Sequence, residues 1–183
     1  MAQNALGVIE FVSIARGMEA LDIMLKAAQV TLYLATPLCP GKFTVVIGGE
    51  IAEVETSLNA AVAFGEDNVI DKMVIANLHP SIFPALNATA EFEVGEALGI
   101  IETWSISSAI LAADAAAKAA NVQLIEVRVA RGLGGKAFVT LTGNVSAVTS
   151  AVEAGAALAS REGILVGTAV IASPHPAIWE GLK

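Results

Sequence analysis

The chain has 183 residues, enough for one domain or two small ones with a real core. Its 55 % hydrophobic and 15 % charged content excludes disorder and is too poor in charge for an ordinary monomer surface, while a net charge of −8 without a basic stripe argues against nucleic acid as a partner. One cysteine excludes an intrachain disulfide and favours a reducing cytoplasm, Met1-Ala2-Gln3-Asn4 lacks the makings of a signal peptide, and Gly167, Ser173, Pro174 and Pro176 break the uncharged span Gly163–Trp179, so it does not read as a membrane helix.

In chain order, Leu6–Val12 is an apolar run of strand length. Arg16–Ala28 follows with helical periodicity, Met18, Leu21, Leu25 and Ala28 sharing one face. Two strands, Thr31–Leu34 and Phe43–Ile47, flank Cys39-Pro40-Gly41-Lys42; Pro40 presets one backbone angle and Gly41 permits a positive one, which is turn chemistry. A second helix near Ile51–Phe64 carries Val54, Leu58 and Ala61, a strand runs over Lys72–Ala76, and Pro80 opens a short helix. Residues 89–96, with Glu91, Glu93 and Glu96, form an acidic linker.

The same order then returns. Ala5-Leu6-Gly7-Val8-Ile9-Glu10 recurs as Ala97-Leu98-Gly99-Ile100-Ile101-Glu102, Asp22 and Lys26 as Asp114 and Lys118, Gly41-Lys42 as Gly135-Lys136, and His79-Pro80 as His175-Pro176. The chain is one unit of about ninety residues used twice, residues 1–88 and 97–183. In the second copy the strands are Leu98–Thr103, Gln123–Ala130, Phe138–Thr142 and Ile164–Ala172. One helix carries Ile110, Ala113, Ala117 and Ala120, another spans Val145–Ser160 with Val148, Val152 and Gly155, and Pro176 opens a third. Each copy is β-α-β-β-α-β plus a terminal helix, a ferredoxin-like α+β plan that hosts many functions.

The candidate chemistry is sparse. Cys39, alone in a loop beside Lys42, reads either as a small buried hydrophobe or as a reactive or metal-ligating thiolate; a cysteine-ligated site would need copies brought together by symmetry. Gly132-Leu133-Gly134-Gly135-Lys136 leads into a strand, so it is a poor phosphate cradle. His79 and His175 recur at matched positions, which argues for architecture, and Glu10 and Glu102 read as structural for the same reason. No nucleophile–base–orienter set emerges, and the reading is of a non-enzyme.

The repeat, the opening Leu-Gly-hydrophobic-hydrophobic-Glu, the helix with Asp22 and Lys26, the Gly-Lys loop and the His-Pro after the last strand together resemble the bacterial microcompartment shell domain. Two copies in one chain resemble the tandem-domain shell proteins, and Cys39-Pro40-Gly41-Lys42-Phe43, Val74–Ser81 and Gly99–Ser105 are similar to their iron–sulfur members. The resemblance implies a homotrimer imitating a hexamer, placed in a microcompartment shell within the cytoplasm. It implies a central pore lined by Pro40, Gly41 and Lys42 with Gly134, Gly135 and Lys136, and a labile [4Fe–4S] cluster shared by three Cys39 thiolates for electron transfer across the shell. Other shell proteins and a lumenal flavin or iron–sulfur reductase are the implied partners. Lys26 and Lys118 resemble tile-edge lysines, whereas Asn77 and Ser173 stand where many such proteins carry an edge arginine, which implies weaker self-tiling or mixed tiling. The alternatives are a cluster-free tile with a solute pore, or a soluble ferredoxin-like trimer that senses a ligand.

Overall fold

The computed structural model describes residues 4–129, 134–161 and 163–182. The chain forms two compact units, Met1–Leu78 and His79–Lys183. The first contains β1 (Ala5–Phe11), α1 (Ile14–Ala27), β2 (Thr31–Leu38), β3 (Lys42–Gly49), α2 (Ile51–Gly65), a 3₁₀ turn and β4 (Val69–Ala76). The second opens with α3 (Ile82–Leu86). It continues through β5 (Ala97–Thr103), α4 (Ile106–Ala119), β6 (Gln123–Arg128), β7 (Ala137–Gly143), α5 (Val145–Arg161), β8 (Leu165–Ala172) and α6 (Pro176–Glu180).

Each unit holds one four-stranded sheet, ordered β2-β3-β1-β4 and β6-β7-β5-β8, with every neighbouring pair antiparallel. This is the expected ferredoxin-like α+β order, made twice. Even the irregularities recur. The register shifts at Glu10/Phe11 and Glu102/Thr103, and again at Leu32/Leu34 and Leu124/Glu126. Bulges that repeat at matched positions are features of the design rather than accidents.

In the first unit Ile9, Phe11, Met24, Phe43, Val45, Ile47, Val54 and Leu58 form the core. The repeated Leu-Gly pair has a packing cause. A Cβ on Gly7 would lie 2.8 Å from Val54 Cγ1, and one on Gly99 would lie 2.7 Å from Leu141 Cδ1, so the central strand accepts its covering side chains only because it has none there. On α2 the expected Val54, Leu58 and Ala61 are buried, as are Val148, Val152 and Gly155 on α5.

Four local readings are corrected. α1 starts at Ile14, because Ser13 caps it by accepting from the Arg16 backbone N–H at 3.2 Å; Ser105 caps α4 in the same way from Ser108. Its core face is Gly17, Ala20 and Met24, whereas Met18 and Leu25 are exposed. β2 extends to Leu38, since its pairing with β3 continues to the hairpin turn. Pro80 does not open α3, which begins at Ile82 after Ser81, although Pro176 does open α6. The expected strand end Ala130, and Gly132 and Leu133 of the second glycine loop, lie outside the described residues.

The linker residues 89–96 have no regular structure but are held along the second unit. Glu93 N–H donates to Gln123 Oε1 at 2.7 Å, Gly95 N–H to Thr142 Oγ1 at 3.2 Å, and the Phe92 ring meets Trp179 at 6.4 Å between centroids.

Candidate functional site: the hairpin turns and their ion pairs

Cys39 lies at the apex of the β2–β3 hairpin and is exposed. The four-residue turn is closed by Gly41 N–H donating to Leu38 O at 2.8 Å, with a cis Cys39–Pro40 peptide and Gly41 at φ 102°. A φ of that sign is open to glycine and strained for other residues. The thiol is thus presented outward on a short turn whose flanks, Leu38 and Phe43, are buried. Of the two readings of Cys39, the buried hydrophobe is excluded.

Pro40, Gly41 and Lys42 share this turn, while Gly134, Gly135 and Lys136 form its counterpart before β7, with Gly134 at φ 65° and Gly135 at φ 93°. Among the described residues no group of three or more His, Cys, Asp or Glu stands together as a metal site. Among the described residues, the chain therefore places no such group of ligands around Cys39.

The lysines of both turns are paired, which the sequence reading missed. Lys42 Nζ donates to Glu10 Oε2 at 3.2 Å, and Lys136 Nζ to Glu102 Oε1 at 2.5 Å. Lys42 therefore does not stand as a lone cation beside the thiol turn. The recurrence of glutamate at the end of the first strand and lysine at the start of the third was the available signal, since antiparallel β1 and β3 bring the two together.

The two pairs differ in environment. Glu10 is also an acceptor for buried Thr44 Oγ1 at 3.2 Å, and its side chain is 11 % exposed, whereas both partners of the Glu102–Lys136 pair are 34 % exposed. Phe138 takes the place of Thr44 in the second copy. Glu10→Ala is therefore expected to cost about 2 kcal/mol, because it strips a buried hydroxyl of its acceptor as well as breaking the pair. Glu102→Ala is expected to cost under about 1 kcal/mol. Urea-unfolding midpoints of the two variants check this order.

At the candidate edge, Lys26 Nζ donates to Asp22 Oδ2 and Lys118 Nζ to Asp114 Oδ2, each at 2.6 Å and each one helical turn apart. Asn77 and Ser173 both adopt left-handed backbone, φ 55° and 52°, at the ends of β4 and β8. His175 caps α6, whereas His79 accepts from the N-cap residue Ser81 ahead of α3. Ser81 N–H donates to His79 Nδ1 at 3.3 Å, and Ala177 N–H to His175 Nδ1 at 3.3 Å. No helix is long and apolar enough to cross a membrane among the described residues.

Comparison with known proteins fits this geometry. A family model described as the BMC domain matches residues 5–78 and again 97–174. The chain is 41 % identical over 176 residues to bacterial microcompartment shell protein PduT of Citrobacter freundii, covering 96 % of each. Bacterial microcompartment shell protein EutM of Escherichia coli is 45 % identical over 92 residues, 48 % of this chain and 93 % of its own. Among solved structures, a microcompartment protein from Desulfitobacterium hafniense matches with a TM-score of 0.95 and 49 % identity, covering 98 % of this chain and 99 % of that one. The fused permuted hexameric shell protein MSM0275 shares the fold alone, with a TM-score of 0.61 at 23 % identity over 85 % of this chain and 83 % of its own.

Proposed function

The chain belongs to the BMC domain family and is a shell subunit of a bacterial microcompartment, and from that premise we propose that three copies form a tile whose hairpin turns surround a shared axis. The observation that carries the reading is the placement of Cys39. Its thiol is exposed at the apex of a tight turn, and among the described residues its own chain places no group of three or more His, Cys, Asp or Glu together. That donor set fits no single-chain site and does fit a cluster held between copies.

Three Cys39 thiolates would hold three irons of a [4Fe–4S] cluster, the fourth being left to solvent or another ligand. When bound, such a cluster supplies one-electron transfer, here across the shell. The rest of the chain positions and insulates. Leu38 and Phe43 anchor the Cys39 turn in the core, and Lys42 and Lys136 are paired with Glu10 and Glu102. The tile has no catalytic role in this reading; its partners are copies of itself, other shell proteins and a lumenal flavin or iron–sulfur reductase. The division into residues 1–88, 89–96 and 97–183 gives two shell domains and a linker. Lys26, Lys118, Asn77 and Ser173 are proposed to face neighbouring tiles.

The test is anaerobic purification and cluster reconstitution with iron and sulfide analysis. About four irons and four sulfides per three chains, with a broad brown absorption, is the expected result. A colourless, iron-free trimer would exclude the cluster and leave a tile with a solute pore.

A further inference from the structure

The two hairpins differ in how the carboxylate beneath them is held. Glu10 on β1 and Thr44 on β3 are register partners, and Lys42 lies two residues before Thr44, so the three side chains share one face of the sheet. Lys42 is also the register partner of Leu38, the residue before Cys39, which sets it at the foot of the thiol turn. Both oxygens of Glu10 are engaged, Oε2 by the Lys42 ammonium and Oε1 by the Thr44 hydroxyl, each at 3.2 Å.

The second copy keeps the ion pair without the rest. Phe138 stands in place of Thr44, and the offset that matches Gly41-Lys42 with Gly135-Lys136 puts Leu133 in the sequence where the first copy has Cys39. The side chain of Glu10 is 11 % exposed and that of Glu102 34 %. The carboxylate held at both oxygens and drawn away from water is thus the one beneath the thiol.

We propose that Glu10 is a positioning residue for a cluster on Cys39. With Thr44 fixing its carboxylate, Glu10 draws the Lys42 ammonium back toward β1 and cancels that charge beside the turn, which sets the reduction potential. The inference rests on the shared cluster read above. Net charge near an iron–sulfur centre is one of the factors that fix its potential. Reduction adds one electron and makes or breaks no bond, so an unbalanced cation nearby favours the reduced form and an unbalanced carboxylate opposes it. In a three-fold tile each substitution enters three times, while water at the exposed turn screens each charge.

Glu10→Gln keeps the shape and an acceptor for Thr44 while releasing Lys42, and Lys42→Met leaves the carboxylate unbalanced. The test is an anaerobic redox titration of the reconstituted protein, with dithionite as the electron source and visible absorption as the readout. At the wild-type midpoint potential, Glu10→Gln is expected to raise the ratio of reduced to oxidised cluster about tenfold, about 59 mV for a one-electron couple, and Lys42→Met to lower it by a similar factor. In the double variant both charges are gone, and the ratio is expected to return to within about threefold of wild type. A merely structural role gives neither opposite signs nor restoration. Unchanged potentials, or shifts of one sign in both single variants, overturn the proposal while the cluster stands. Lys42→Met alters a side chain that is 37 % exposed, so its shift alone decides the sign if Glu10→Gln does not fold, and an unchanged or raised ratio there overturns the proposal. A wild type that takes up no iron overturns the cluster reading and this inference with it.

Discussion

Gly155→Val is expected to cost about 3 kcal/mol and to unfold the second unit at markedly lower urea than the first. A Cβ on Gly155 would lie 2.6 Å from the Ala112 carbonyl oxygen and 2.6 Å from Ile101 Cδ1. The oxygen belongs to backbone, so no rotamer change relieves the clash; α4 and α5 must separate, and with them the contacts of buried Ile110, Ala113, Val148 and Val152. The first unit has Ala61 at the matching position, which shows that the close approach of the helices is particular to the second repeat. Gly167→Ala is the control. Nothing lies within 4 Å of its Cβ, and its expected change is within about 0.5 kcal/mol. A Gly155→Val chain whose urea transition matched that of the control would refute this account of the helix seam.

Cys39→Ser is expected to abolish iron binding completely and to leave thermal unfolding and assembly unchanged. The side chain is exposed on a turn held by the Gly41–Leu38 hydrogen bond and by buried Leu38 and Phe43, none of which involves sulfur. Serine has nearly the same shape but is a poor ligand for iron in a sulfide cluster. Iron analysis after anaerobic reconstitution, beside a melting curve, reads both effects. Stoichiometric iron in the variant would remove Cys39 from the ligand set. Loss of the trimer would mean that the turn carries assembly energy that its exposure does not suggest.

Element order, sheet topology and the placement of Cys39 on a turn were legible because each is local or periodic. Strand runs, helical steps and Pro-Gly punctuation act over a few residues, and seeing each twice made the pattern firmer. The face of α1 was misread for a physical reason. Met18 and Leu25 are as apolar as Met24, and periodicity cannot say whether an apolar stripe meets its own core or another surface. The core is built instead around Gly17, where Phe43 lies against the helix so closely that a Cβ would come within 2.6 Å of its ring. The ion pairs of Glu10 and Glu102 join residues 32 and 34 positions away in the chain. They become visible only when the antiparallel register of β1 with β3 and β5 with β7 is drawn. The Asp114–His79 bond was hidden in the same way, because it links a helix of the second repeat to the tail of the first.

The most direct test of the central claim is native mass spectrometry of the anaerobically reconstituted protein. It counts chains and inorganic atoms in one particle. A trimer carrying the added mass of one four-iron, four-sulfide cluster, with that increment absent from Cys39→Ser, is the expected result. A trimer without added mass would contradict the cluster, and a monomer would contradict the tile.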